Sequence, residues 1–326
     1  MWIDWARGIL ALLVVFGHAL SWFPPNDQSR GEGASVLWRI IYSFHLSGFF
    51  ALSGYLAGLK EAEAANKLGY SILKRSLSLL VPTAAVCVVP FVINVRKSGN
   101  FFAEIFLVAH HYAWFTVALA VIAAASLLLN YFIKRRFRIV RVIVPIVLTF
   151  AVSLYKANLA WLISYWVIYE AAAIIATLKP GVKMNVAAIL TGLIYLLVLP
   201  VYLRAGWSYL EWRTNITLGL SFSIAFLVLL PKVKFRKTDG AIVLIGKHSI
   251  QIYLLHALLN SLSGFKFNVY NPIVTIAILM VIDTFMPIGI SQIMETRKWS
   301  DFIFHPMKYI KLKNNDLTTE AFSDRI

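Results

Sequence analysis

Long apolar segments recur along almost the whole chain, and they restrict the possible fold more than any other feature of the sequence. About ten of them are long enough, or nearly so, to cross roughly 30 Å of hydrocarbon as helices. Inside lipid every backbone N–H and C=O must be paired within the protein, so each segment is expected to be helical. The sequence therefore predicts an all-α membrane protein built as one bundle. The expected spans are approximately 5–23, 36–59, 70–94, 112–133, 139–155, 159–178, 184–204, 216–230, 241–262 and 272–293.

The composition agrees with a membrane protein and argues against other classes. Hydrophobic residues fill 60% of the 326 positions and charged residues only 14%, whereas soluble domains average about 25% charged. The net charge of +16 would suit a nucleic-acid partner, but basic cytoplasmic loops explain it better, so no nucleic acid is expected. Cys87 is the single cysteine, which excludes an intrachain disulfide and a cysteine metal site. No spacing of histidines suggests a metal, and none is expected.

The distribution of basic residues between alternate loops predicts the orientation of the bundle. If the N-terminus is cytoplasmic, the inner loops and tail contain 22 lysines and arginines and the outer loops contain 8, of 31 in the chain. Such an excess follows the positive-inside rule, and an even number of spans then places both termini inside. We expect a membrane domain over residues 1–300 and a cytoplasmic tail over residues 301–326.

Arg7 and His18 lie on one face of the first predicted span. They are eleven residues apart, which is about three helical turns and roughly 16 Å along the axis. Ionisable residues inside a membrane are costly and mark a functional site by default. Asp4 precedes Arg7 by three residues and can pair with its guanidinium. The alternative is that Arg7 reaches the membrane surface and that His18 makes only a structural hydrogen bond.

Further ionisable residues fall at the same two depths in the predicted orientation. His45, in the second span, is expected near His18 in the outer half of the membrane. Lys74 and Arg75, at the start of the third span, are expected with Arg7 at the cytoplasmic edge. Contacts with anionic lipid are the alternative for the three cations, and a structural hydrogen bond is the alternative for His45.

Several motifs in these spans follow one another in the order typical of a known family. They are Asp4-Trp5-Ala6-Arg7-Gly8-Ile9 with Gly17-His18, Phe44-His45-Leu46-Ser47-Gly48-Phe49-Phe50-Ala51-Leu52-Ser53-Gly54-Tyr55, Lys74-Arg75 with Leu79-Leu80-Val81-Pro82, Trp114-Phe115, and Gly246-Lys247-His248-Ser249-Ile250-Gln251-Ile252-Tyr253-Leu254-Leu255-His256. Together, on a frame of ten helices, they resemble the integral-membrane acyltransferase family three. The family often has a second arginine where Ser78 stands, and usually has proline and a bulky apolar residue where Ser47 and Gly48 stand. The Ser78 difference weakens donor contacts assigned to the third span, and the other two are expected to alter a substrate groove.

The resemblance implies a function. Members of this family transfer an acyl group, usually acetyl, from cytoplasmic acyl-CoA to a hydroxyl of a cell-envelope glycan. Acetyl-CoA would be a donor substrate rather than a permanently bound cofactor. The partners would be acyl-CoA, a glycan or lipid-linked sugar, and membrane lipid, in a bacterial inner membrane. Arg7, Lys74 and Arg75 would bind the donor's phosphates, since guanidinium and ammonium groups suit phosphate oxygens.

His18 and His45 are the candidate catalytic residues. Attack by a sugar hydroxyl needs a general base, and histidine, with an unperturbed pKa near 6.5, suits that task. His18 could deprotonate the acceptor or carry the acyl group transiently as a nucleophile. His45 could orient His18, bind the acceptor or stabilise the tetrahedral oxyanion.

Other residues are candidates for support or for the acceptor side of the site. They are Asp4, Ser53, Tyr55, Trp114, Glu170, Tyr253 and His256. Helix packing is the alternative for the tyrosines and His256, whereas Glu170 and Asp283 lie in apolar spans and need partners. Outer-interface residues could contact sugar or form an interfacial belt. These residues are Trp207, Tyr209, Glu211, Trp212 and Arg213, whereas His110 and His111 are expected to lie at an outer interface.

Two different functions remain open at this point. A proton-coupled exporter could use His18, Glu170 and Asp283 as a proton relay and Arg7 as a gate. The sequence lacks two similar halves with paired helix breaks, which disfavours an exporter. A structural or receptor-like bundle would not require three cations at one depth, so the shared depth of Arg7, Lys74 and Arg75 disfavours it.

Overall fold

Helices form nearly all of the structure, because backbone groups in apolar segments can be paired only within the protein. The computed structural model describes residues 1–21, 31–60, 68–133, 137–205, 211–234, 240–263 and 271–310. These residues form helices and short connections and no β-strand. In chain order the helices are α1 (Trp2–Ser21), α2 (Gly31–Tyr42), α3 (His45–Leu59), α4 (Leu68–Ser98), α5 (Phe101–Val108), α6 (Trp114–Phe132), α7 (Arg138–Ser153), α8 (Ala157–Ala176), α9 (Val182–Ala205), α10 (Trp212–Lys232), α11 (Gly240–Lys247), α12 (Ser249–Ser263), α13 (Pro272–Glu295), α14 (Lys298–Phe304) and α15 (Pro306–Tyr309).

Most of these helices are long and apolar enough to span a membrane. Eight stretches of the described chain meet that condition by length and composition, and α11 with α12 form a ninth if they act as one span bent by 73°. The other predicted span is α7, whose 16 residues extend only about 24 Å. The all-α membrane bundle is therefore confirmed. The count of ten depends on α7, and the orientation stays a prediction. We call the end of the bundle where α1 begins the inner end, and the other the outer end.

Two predicted segments contain breaks that hydropathy alone did not indicate. The span predicted at 36–59 consists of α2 and α3, separated by a turn at Ser43 and Phe44. The φ angle of Phe44 is −143°, so the backbone leaves helical geometry there and His45 becomes the first residue of α3. The span predicted at 112–133 begins within a π-helical turn, Ala109–Ala113, which connects α5 to α6.

Close packing between α3 and α8 depends on two glycines four residues apart. A Cβ atom added at Gly54 would lie 2.9 Å from the carbonyl carbon of Tyr169, and one added at Gly58 would lie 2.9 Å from that of Ala173. The two backbones are therefore in direct contact, as in membrane helices that associate through small residues. This contact fixes the position of α8 relative to α3.

The broken span packs against α1 in a similar way. A Cβ atom added at Gly246 would lie 2.9 Å from the amide nitrogen of Gly8, and one added at Gly8 would lie 2.9 Å from Cγ2 of Ile242. The chain then bends by 73° between α11 and α12. As a result α11 lies along the beginning of α1, whereas α12 carries His256 to the outer end, beside His18.

The two unusual residues of the second-span motif pack between helices. The hydroxyl of Ser223 in α10 donates to the carbonyl oxygen of Ser47 at 3.4 Å, and a Cβ atom added at Gly219 would lie 2.9 Å from Cβ of Ser47. Gly48 lies against the side chain of Leu10 in α1. Small residues at these positions let α3 approach its neighbours. The expectation that they alter a substrate groove is not supported by this placement.

The predicted cytoplasmic tail begins with folded structure. After α13, the short helices α14 and α15 pack against α4. Asp301 accepts hydrogen bonds from Lys308 (2.6 Å) and from the hydroxyl of Tyr309, and lies 2.8 Å from Nδ1 of His305. The bonds from Lys308 and Tyr309 hold the pKa of this carboxyl below its usual range. Residues 311–326 lie outside the described residues.

Candidate active site

Three histidines from three helices meet at the outer end. His18 is in the last turn of α1, His45 is the first residue of α3, and His256 lies in the middle of α12. Their side chains line one cavity of about 860 Å³, which we call the histidine cavity. The ring centroids of His18 and His256 are 5.0 Å apart. The structure therefore brings together His18 and His45, as the sequence predicted, and adds His256 to them.

The backbone determines which ring nitrogen carries the proton in two of these histidines. Nδ1 of His45 lies 2.7 Å from the carbonyl oxygen of Ile41, and Nδ1 of His256 lies 2.7 Å from that of Ile252. A carbonyl oxygen only accepts, so both Nδ1 atoms donate, and in neutral rings both Nε2 atoms carry a lone pair. Nε2 of His256 is buried and has no hydrogen-bond partner within the described part of the chain. A neutral imidazole with a lone pair at Nε2 can accept a proton from a hydroxyl.

Aromatic side chains form much of the remaining cavity wall. Tyr42 meets the ring of His45 edge to face, with 4.6 Å between ring centroids. Trp114 lies 5.2 Å from Trp161, and Tyr253 also lines the cavity. Trp114 and Tyr253, two of the residues predicted to support the site or to contact the acceptor, therefore line the histidine cavity. A mostly apolar, aromatic wall with a few converging polar groups is typical of a small-molecule site.

Glu170 lies beside the cavity in a buried ion pair. Its Oε2 accepts hydrogen bonds from Nη2 and Nε of Arg141 at 2.8 and 3.1 Å. Its Oε1 accepts from the indole N–H of Trp166 at 3.1 Å, and Arg141 also donates to Asn130 at 3.0 Å. Both charged side chains are almost completely buried. Because Trp166 lines the histidine cavity, the ion pair supports the cavity wall.

The three predicted donor-binding cations have separate contacts. Arg7 lies 3.5 Å from Asp4, so the pair that the sequence suggested is present, and the Arg7 side chain is 36% exposed. Arg75 donates a hydrogen bond to the hydroxyl of Tyr169 in α8. Lys74 is exposed and its ammonium lies over the ring of Tyr70. Arg7 and Lys74 therefore carry accessible charges, whereas Arg75 is engaged by the protein itself.

The Ser78 position, where the family often has arginine, faces a different cavity. The hydroxyl of Ser78 donates to the carbonyl oxygen of Lys74 at 2.8 Å. Ser78 also lines a second cavity of about 590 Å³, whose other residues include Glu295, Asp301 and Lys308. Lys308 is bound to Asp301. With two carboxylates in its wall, this cavity does not resemble a phosphate site.

Several sequence candidates lie away from the histidines or outside the described residues. Ser53 is half-buried in α3, and Tyr55 packs on Trp2 at the inner end, with 5.5 Å between ring centroids. Asp283 is buried in α13. Arg213 lies over the ring of Trp212 at the start of α10. Outside the described residues lie Trp207, Tyr209 and the side chain of His111.

Three residues matter more than the sequence analysis indicated. Helix packing was the alternative for His256, and the bend before α12 decides its position beside His18. His110 was expected at the interface but lines the histidine cavity. Arg141 lies near the start of the span predicted at 139–155 and was not among the candidate site residues. A cation and an anion that both lie inside predicted spans must find partners, and that rule could have paired Arg141 with Glu170.

Comparison with known proteins assigns the family. The model of the acyltransferase 3 family, described as an acyltransferase domain, matches residues 1–290. The chain belongs to the acyltransferase 3 family. The match contains every residue that lines the histidine cavity. Family membership identifies the protein as a membrane-bound acyltransferase and gives no support to the exporter interpretation.

Similarity to a curated protein is local. Nodulation protein NolL from Mesorhizobium japonicum is 32% identical to this acyltransferase over 89 residues, which are 26% of this chain and 22% of that protein. The chain thus matches only about a fifth of that relative's length. No solved structure matches the acyltransferase significantly. These similarities do not identify the donor, the acceptor or the roles of individual histidines, which are therefore inferred from the geometry of the site.

Proposed function

We propose that the protein is an O-acetyltransferase that moves an acetyl group from cytoplasmic acetyl-CoA to a hydroxyl of a cell-envelope glycan, in the inner membrane of a bacterium. One observation carries this proposal: His18, His45 and His256 line a single cavity although they come from three different helices. The acyltransferase family and the aromatic wall beside these imidazoles support it.

The chemistry requires one proton to move twice. The acceptor hydroxyl attacks the thioester carbonyl carbon while a histidine Nε2 takes its proton. The tetrahedral oxyanion then collapses, the C–S bond breaks, and the CoA thiolate leaves and receives the proton from the imidazolium. The buried, unpartnered Nε2 of His256 supports His256 beside His18 as a candidate for this base.

His45 has a narrower choice of roles than the sequence allowed. Its Nδ1 is held by the carbonyl oxygen of Ile41, so a neutral His45 presents only a lone pair at Nε2. Accepting a hydrogen bond from the acceptor hydroxyl is consistent with that state. Donation to an oxyanion through Nε2 requires a protonated ring.

The donor is proposed to bind with its phosphates at the inner end and its acyl group toward the histidines. Arg7 and His18 are separated by roughly 16 Å along α1. Asp4 lies 3.5 Å from Nη1 of Arg7 and orients the guanidinium, whose other N–H groups are proposed to bind phosphate oxygens. Arg75 and Lys74 are proposed to contribute less, since Arg75 already bonds to Tyr169 and Ser78 stands where the family often has a second arginine.

A transfer assay with purified variants tests the proposal. Radiolabelled acetyl-CoA is added to protein in lipid nanodiscs, together with envelope glycans from a strain that lacks the gene. His18→Ala and His256→Ala are each expected to slow transfer by roughly 100-fold or more, the usual contribution of a positioned base. His305→Ala is the matched control, because His305 lies at the inner end and bonds to Asp301.

The same assay separates the two roles of His18. If His18 carries the acetyl group, acid quenching of the wild-type protein will trap labelled protein that His18→Ala lacks. If it acts as a base, no labelled protein will form. Near-normal transfer by folded His18→Ala would contradict any catalytic role for His18, and labelling of no glycan by the wild type would contradict the proposed function.

A further inference from the structure

The histidine cavity extends sideways into a groove between α6 and α8. On α6 its wall is formed by Val117, Val121 and Ala125, which are spaced four residues apart and share one face. On α8 the wall consists of Leu159, Leu162, Ile163 and Trp166. We call this extension the lateral groove.

The lateral groove opens onto the surface that faces lipid. Val121 is 62% exposed, Leu159 is 45% exposed and Val117 is 40% exposed, although all three line the cavity. Leu128 and Phe132 continue the exposed apolar surface of α6 toward the inner end. In a membrane, side chains exposed in this way contact acyl chains. A molecule held in the bilayer can therefore enter the groove from the side.

The dimensions and chemistry of the groove suit one chain of a lipid. From Trp114 to Ala125, α6 rises by about 16 Å, which is roughly half of the hydrocarbon thickness and hence the depth of one leaflet. Within the described residues, no Asp, Glu, Lys or Arg lines the cavity or the groove. The polar groups are instead gathered at the histidines.

The position of the groove indicates which substrate uses it. The proposed donor site, at Arg7, lies at the inner end, whereas the groove leads away from the histidines toward lipid in the outer half. A water-soluble glycan is polar and hydrated, so it would not bind an apolar wall that is open to the bilayer. We propose, on the basis of the proposed function, that the acceptor is a lipid-linked glycan. Its apolar chain lies in the lateral groove and its hydroxyl-bearing head reaches His18 and His256.

A chain in the lateral groove helps by orienting the acceptor's head group, and not by a gain in hydrophobic free energy. Lipid tails and the groove are equally apolar, so moving a chain between them changes the free energy little. The chain instead confines the head group to one leaflet and presents it at the depth of the histidines, which raises its effective concentration. Blocking the groove should therefore slow transfer to a lipid-linked acceptor while leaving acetyl-CoA binding unchanged.

Acceptor fractions and a blocked groove test this inference. Purified protein in nanodiscs receives radiolabelled acetyl-CoA and, separately, the chloroform–methanol lipid extract and the water-soluble glycans of a strain that lacks the gene. The wild type is expected to label the lipid extract. Val121→Trp, which fills the groove, should lower that labelling about tenfold or more. Val121→Trp should still bind acetyl-CoA with the affinity of the wild type, which shows that the variant is folded.

A control on the same helix shows that the effect is local. Leu128→Trp adds a similar side chain to the exposed surface of α6, outside the groove, and should leave labelling unchanged. Labelling of the soluble glycans alone would overturn the lipid-linked acceptor but support the proposed function. Equal lipid labelling by Val121→Trp and wild type would also overturn the inference. A wild type that binds acetyl-CoA and labels neither fraction would contradict the proposed function, and the inference with it.

Discussion

Replacing Gly54 by alanine adds a single methyl group at the direct contact between α3 and α8. The added Cβ would lie 2.9 Å from the carbonyl carbon of Tyr169 and closer still to its oxygen, whereas ordinary contacts begin at 3.4 Å. The opposing atoms belong to a helix backbone and cannot rotate away. The two helices must therefore separate by about 1 Å, as in other overpacked interiors.

The separation is expected to cost more activity than stability. Overpacking typically destabilises by about 1–3 kcal/mol, and the higher helix propensity of alanine offsets about 1 kcal/mol of that. The shifted helix, however, carries Trp161 and Trp166 of the histidine cavity. Displacing a site by about 1 Å can lower the rate roughly 100-fold. We therefore expect folded Gly54→Ala protein with a large loss of transfer.

Paired measurements of folding and transfer test this expectation. Thermal unfolding and size-exclusion profiles report the fold in detergent, and labelled acetyl-CoA reports transfer. Gly289→Ala is the control, since a Cβ atom at this helical glycine of α13 has no neighbour within 4 Å among the described residues. If Gly54→Ala and Gly289→Ala transfer acetyl at the same rate, the direct contact of α3 and α8 does not position the site and the reasoning is refuted.

Three further predictions concern charged residues and orientation. Arg7→Ala should raise the dissociation constant for acetyl-CoA about tenfold or more in equilibrium binding, since a charged hydrogen bond contributes about 1.5–3 kcal/mol. Arg7→Lys should restore part of the affinity, because it keeps the charge but not the guanidinium fork. Glu170→Gln should lower the melting temperature, because it leaves the buried Arg141 without a counter-charge and so lowers the free energy of unfolding by about 3–5 kcal/mol. Replacing both residues by apolar ones should recover much of that stability. Single cysteines at Asn100 and Lys234 should react with an impermeant reagent only at Asn100, because the predicted orientation places Lys234 in the cytoplasm.

Each of these predictions has a contrary result. Unchanged acetyl-CoA affinity in Arg7→Ala would remove Arg7 from the donor site. An unchanged melting temperature in Glu170→Gln would mean that the ion pair with Arg141 contributes nothing to stability. Labelling at Lys234 but not at Asn100 would reverse the orientation and the assignment of inner and outer ends.

Much of the architecture was predictable because the membrane restricts it to helices. Apolar stretches of about twenty residues can only be helical in lipid, so the spans follow from hydropathy. The pairing of Asp4 with Arg7, at a spacing of three residues, and the grouping of His18 with His45 also followed from helical geometry. For Asp4 and Arg7 the repeat of the α-helix determines that the side chains are neighbours. For His18 and His45 the chain reverses across a membrane of fixed thickness, which determines that both lie at a similar depth.

Contacts between distant segments were not predictable in this way. The approach of α12 to α1, which brings His256 beside His18, depends on a 73° bend and on direct backbone contact at Gly246. The pairing of Arg141 with Glu170 depends on α7 lying against α8. Hydropathy reports depth in the membrane but not the direction that a helix face takes toward its neighbours.

The sequence by itself thus determined the all-α membrane bundle, its approximate spans, its resemblance to acyltransferases and the grouping of His18 with His45. Only the tertiary structure decided which helices are neighbours, that His256 and His110 join His18 and His45 in the histidine cavity, and that this cavity opens toward lipid between α6 and α8. The physical reason is that depth along a helix follows from counting residues. Contact across helices depends on where small side chains let two backbones meet.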